Sequence, residues 1–101
     1  MDIKISNMSS VPIYQQVATQ IKNSILNGSL KCNDQLPSIR SLSKELEVGI
    51  ITVKKSYEVL LQEELIYSKG AVGYFVNDID LATVLSIKKE EYFVESSNYY
   101  R

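Results

Sequence analysis

Along the first quarter of the chain, apolar residues return at every third or fourth position. Tyr14, Val17, Ala18, Ile21 and Ile25 share one face of a helix expected from residue 12 to about residue 26. Pro12 suits its first turn, where a missing N–H costs nothing. Asn27-Gly28 is a stop, because glycine accepts the left-handed geometry that closes a helix. The pattern lapses over "SLKCND", which reads as loop. Ser38 follows Pro37 and suits the cap of a second, short helix, in which Ile39, Leu42 and Leu46 form a narrow stripe ending near Glu47. Past Val48-Gly49 a third helix gathers Val53, Tyr57, Leu60 and Leu61 on one face, to about residue 64. The period then changes. Ile66–Ser68 and Tyr74–Val76 are β-prone runs flanking a turn with Gly70 and Gly73, a hairpin signal.

Two helices joined by about three residues, one a glycine, make a helix-turn-helix, and a trailing hairpin makes it a winged one. The expected fold class is α+β, mainly α: a winged helix-turn-helix of three helices plus a β-hairpin wing, with a short C-terminal helical tail. The expected boundaries are a flexible N-terminal arm over 1–10, the winged domain over 11–76 and the tail over 77–101. The first two helices and the inner face of the third form a small core and leave the third helix's outer face free. A helix of that width fits the major groove, its N-terminal residues nearest the base edges.

Composition changes this picture little. With 101 residues and 45% hydrophobic content, the chain is expected to be one domain with a modest core. A net charge of −1 excludes a polycation but not a locally basic face, since attraction depends on the patch. Cys32 is the single cysteine, so no intramolecular disulfide forms and a reducing compartment is expected. No apolar run approaches the roughly 20 residues that cross a bilayer, and "MDIKISNMSS" lacks the apolar centre of a signal peptide. The expectation is a soluble, cytoplasmic domain. With no histidine, no Ser-His or Cys-His dyad exists. The carboxylates and the thiol lack the paired spacing of a zinc site, and no glycine-rich phosphate loop follows a strand. No enzyme activity, metal or cofactor is expected.

The stretch "LPSIRSLSKELEVGIITVKKSYEVL", residues 36–60, followed by "GYFV" from Gly73, resembles the N-terminal DNA-binding domain of the GntR family of bacterial transcription regulators. The opening "PIYQQVATQIKNSILNGSL" is similar to the YtrA-type branch, whose members carry only a short helical tail. The resemblance covers residues 11–76. It implies that Arg40, in the "LPS-x-R" segment, contacts DNA near the start of the second helix. Such regulators usually carry Ser or Thr and then Arg at the head of the recognition helix, where this chain has Gly49 and Ile50. Thr52 matches the threonine of the "TV" pair, and Lys54 is the basic residue after it. In the wing, Lys69 and Gly70 come one residue early, with Ala71-Val72 intervening before "GYFV".

Each candidate has a plainer reading beside it. Lys54 and Lys55 lie off the apolar stripe, where a solvated face is the ordinary role and phosphate contact the functional one. Thr52 is balanced between DNA contact and first-turn helix chemistry. Ser38, Ser41 and Ser43 are candidate phosphate donors, with a cap the plainer role for Ser38. Lys69 at a slim hairpin tip suits a groove edge, while Tyr14 and Tyr57 read as core. Of the two exposed-looking aliphatics at the head of the third helix, Ile51 is expected inward and Ile50 outward, where a thymine methyl offers an apolar contact.

In the tail, Leu81, Val84, Leu85 and Tyr92 form a ragged apolar side, and "EYFVESSNYYR" is rich in aromatics. Homodimerisation through this tail is expected, with packing on its own domain as the alternative; an effector is unknown. Two functions follow. One is a dimeric, sequence-specific repressor that binds a double-stranded DNA operator as an inverted repeat. The other is a winged-helix adaptor or antirepressor, suggested by Ile50-Ile51 and the acidic balance.

Overall fold

The computed structural model of the chain describes residues 2–78. The expected tail helix and its apolar side lie outside the described residues. Helix α1 runs Ile13–Leu26, α2 Ile39–Leu46 and α3 Ile50–Gln62; strands β1, Ile66–Ser68, and β2, Tyr74–Val76, follow. The order and the hairpin strands are those the sequence pattern predicts. Pro12 is the N-cap of α1 rather than its first residue, and its carbonyl accepts from the N–H groups of Gln15 and Gln16. Helix α3 stops two residues short of the expected end, because Glu64 turns left-handed, with φ 60°.

The helix-turn-helix is held by its own polar groups. The Ser38 side chain accepts from the Ser41 N–H at the start of α2. At the other end Glu47 is left-handed, with φ 58°. The chain then folds back: the Val48 N–H donates to the Ser43 carbonyl at 3.1 Å, and the buried Ser43 hydroxyl donates to the Val48 carbonyl. Gly49, extended at φ −65°, caps α3 without a side-chain bond.

The core joins all these elements. Val17, Ala18, Ile21 and Ile25 from α1 meet Leu42 from α2 and Val53, Tyr57 and Leu60 from α3, with Leu36, Leu65, Ile66 and Val76 closing the side under the wing. Two polar groups are buried with them and satisfied. The Ser56 hydroxyl is within hydrogen-bonding distance of the Tyr14 and Thr52 carbonyls, and the Tyr57 hydroxyl donates to the Pro37 carbonyl at 2.6 Å. Burial, then the neighbouring Tyr74 and Glu45, push the Tyr57 phenol well above its ordinary value.

The wing is an antiparallel pair in the register Ile66↔Val76, Tyr67↔Phe75 and Ser68↔Tyr74. The segment read as loop adds an outer rung. Leu36 N–H donates to the Tyr74 carbonyl, Val76 N–H to the Asp34 carbonyl and Asn33 N–H to the Val76 carbonyl, each at 2.8 Å. Ahead of α1, Ile3 and Ile5 pack on the core. Two glutamines of α1 hold this segment as a strand would: Gln20 exchanges hydrogen bonds with the backbone of Lys4, and Gln16 with that of Ser6.

Candidate nucleic-acid interface

The buried residues of α3 are Val53, Ser56, Tyr57 and Leu60, one stripe of the helix. At 3.6 residues per turn, Ile51, Lys55 and Glu58 project from the opposite side, with Lys54 beside them. All four are exposed. The head of α3 is therefore apolar and its next turn basic. Ile51 is 81% exposed and Ile50 49%. The expectation that Ile51 turns inward is corrected: residue 51 falls two positions before Val53, about 160° from the core direction, so no rotamer takes it there. Ile50 is the one nearer the core.

Thr52 is half-buried on the flank of α3. A side chain built at Gly49 would meet only the Thr52 hydroxyl, at 3.8 Å, so neither backbone nor space requires glycine there. Lys54 extends from the outer face. Lys55 instead leans back across α1, its ammonium 4.3 Å from the centre of the Tyr14 ring. Tyr14, expected in the core, is half-buried beneath that charge.

Arg40 and Ser41 are exposed in the first turn of α2. The Tyr57–Pro37 bond sets this turn beside the middle of α3, while Ser43 and Val48 tie the end of α2 to the head of α3. Tyr57 also meets Tyr74 edge-on, with ring centres 5.1 Å apart, which joins the wing to the same face of the core. In the wing turn the Lys69 N–H donates to the Gly73 carbonyl at 2.8 Å and the Val72 N–H to the Lys69 carbonyl. Gly70 has φ +53° and Gly73 φ +136°. Lys69 is exposed, its ammonium 5.4 Å above the Phe75 ring, on the outer face where Phe75 stacks on Tyr67. Val72, at the same tip, is 64% exposed.

The sequence reading missed three supports. Ser56 tethers α3 to α1, Tyr14 carries the Lys55 ammonium, and Gln35 donates to the Val72 carbonyl at 3.0 Å, fixing the wing tip. Only the last had a sequence signal, a polar residue just before "LPS". Among the described residues, no group of three or more His, Cys, Asp or Glu is placed to hold a metal ion. None of their helices is long and apolar enough to cross a membrane.

Three helices with a helix-turn-helix at their centre, an outward third helix and an ordered wing define the class of winged-helix DNA-binding domains. The chain belongs to the gntR family of bacterial regulatory proteins, whose model matches residues 13–76. This is a family of transcription regulators, not of enzymes. The chain is 34% identical over 86 residues to the HTH-type transcriptional repressor YtrA of Bacillus subtilis (strain 168), covering 85% of this chain and 66% of that protein. It superposes on YtrA from Sulfolobus acidocaldarius, a GntR-family transcription factor, with a TM-score of 0.74 and 37% identity over 91% of this chain and 97% of that one. The DNA-binding domain of AraR, solved in complex with operator ORX1, matches with a TM-score of 0.66 and 25% identity, covering 75% of this chain and 95% of that one.

Proposed function

We propose that the chain is a cytoplasmic, dimeric repressor that binds a double-stranded DNA operator as an inverted repeat. Residues 11–76 are the DNA-binding unit. The observation that carries this reading is the division of α3: one face is fully buried, and the other offers an open head followed by Lys54 and Lys55. In this reading α3 enters the major groove with Gly49, Ile50 and Thr52 at the base edges. Lys54 and Lys55 meet phosphate, Arg40 and Ser41 meet the backbone from α2, and Lys69-Gly70 reach the groove edge from the wing. Dimerisation through the tail, residues 77–101, is supported by its apolar and aromatic content. The printed names of a repressor and of an operator complex among the similar proteins support the regulatory role.

A salt titration tests the electrostatic part. Each phosphate neutralised contributes about 0.9 log units of affinity per log unit of salt, so a binding constant indifferent to salt would count against the reading. The adaptor alternative rests on the exposed Ile50 and Ile51. Ile50→Arg separates the two: a repressor changes its DNA affinity or preference, whereas an adaptor loses a protein partner and gains no specific site.

A further inference from the structure

Exposed large hydrophobic residues are few among the described residues, and two of the five, Ile50 and Ile51, are consecutive at the head of α3. Folding does not account for Ile51. Ile51 keeps 81% of its surface in water, so it contributes little burial, and a β-branched residue gains nothing for helix propensity there. The Gly49 backbone is ordinary, and nothing bulky crowds the position. The head of the helix is thus apolar, uncapped by any side chain and followed by Lys54. These features fit close approach to a duplex better than a solvated surface.

Resting on the DNA-binding reading above, we propose that Ile51, flanked by Ile50, reads the C5-methyl group of a thymine in the major groove. The chemistry of the groove leaves little else for it. Base edges offer nitrogen and oxygen donors and acceptors, which an isoleucine cannot engage, and one apolar group, the thymine methyl. An arginine at this place would select guanine through O6 and N7; an isoleucine gains only by covering a methyl. Ile51, on the outermost line of α3, is the principal contact, and Ile50, half-shielded, forms the side of the apolar pocket. The operator half-site therefore carries a thymine whose methyl, rather than its hydrogen-bonding edge, is recognised.

The test uses the full chain and a duplex selected from random DNA. Each thymine of the half-site is replaced in turn by deoxyuridine, which removes the methyl and leaves base pairing unchanged. The native protein should lose about fourfold in affinity at one thymine, the worth of one buried methyl. Ile51→Ala should bind the thymine and deoxyuridine duplexes equally there, and Ile50→Ala should show a reduced difference. Indifference of the native protein to every deoxyuridine, or a methyl effect that persists in Ile51→Ala, overturns the proposal while leaving DNA binding intact. Absence of any sequence-specific binding overturns both this proposal and the reading on which it rests.

Discussion

At the scale of the residue, the buried Tyr57 links stability to pH. Its phenol is held neutral by burial, so its folded pKa lies above the unfolded value of about 10. A group with a raised folded pKa contributes its full stabilisation below the unfolded value and loses it as pH rises towards the folded one. Unfolding measured by denaturant should therefore show stability eroding from about pH 10 upward. Tyr57→Phe should lose about 1 kcal/mol at neutral pH, through the bond to the Pro37 carbonyl, and should lack this part of the alkaline decline. Gly73 is a second sensitive residue. A Cβ there would sit 2.9 Å from the Gln35 amide nitrogen, at φ +136°. That amide cannot swing away without releasing Val72. Gly73→Ala should destabilise by about 1–3 kcal/mol, read from thermal or denaturant melts. For DNA, Lys54→Ala should weaken binding of all sequences alike and reduce the salt slope by about 0.9, measured by titration at several salt concentrations.

The same scale shows where the sequence is informative. Val53, Tyr57 and Leu60 are legible as core because helical period alone sets their direction. The resemblance, which sets Ile50 where similar regulators carry arginine, implies Ile51 inward; helical period, which sets Ile51 about 160° from the core direction, gives the observed outcome. Lys55 was legible as off the core, but its lean towards Tyr14 depends on how α1 crosses α3, which no local pattern encodes.

At the scale of the element, caps and turns were the most readable features. Ser38 caps α2 as its place after Pro37 suggests, and Ser38→Ala should cost about 1 kcal/mol of stability. Gly49 is a cap without a side chain in a backbone any residue adopts. Gly49→Ser should therefore stabilise the fold by a few tenths of a kcal/mol, by accepting an N–H of the first turn of α3; an unchanged or lowered melting temperature would show that the head of α3 is constrained in another way. The hairpin strands are legible because two short β-branched and aromatic runs flank a turn holding Gly70 and Gly73. The outer rung at residues 33–36 was not, since its pairing with β2 is made across the chain by backbone groups. The glutamine ladder to residues 4 and 6 was hidden for the same reason: Gln16 and Gln20 look like ordinary exposed helix residues until the preceding segment lies beside them.

At the level of the whole molecule, one core fixes the three surfaces to which the proposed function assigns DNA contact. Tyr57 touches both the segment before α2 through Pro37 and the wing through Tyr74, while its own helix carries the outward face. The relative placement of Arg40, the α3 head and Lys69 therefore follows from packing, and an overall charge of −1 does not weaken it. The fold is legible because it resides in the spacing of apolar and capping residues, and the family through the resemblance carried by residues 36–60 and Gly73–Val76. Base preference is not, because the head of α3 from Gly49 to Ile51 lies on the exposed side, where the core imposes no constraint.

The proposed function requires this winged helix to bind a specific operator as a symmetric pair. Selection of bound sequences from a random duplex pool, with the full chain at physiological salt, tests it most directly. An inverted repeat should emerge, its half-sites about one helical turn apart and each with a fixed thymine. Recovery of a pool no different from the starting one would contradict specific operator binding by this chain.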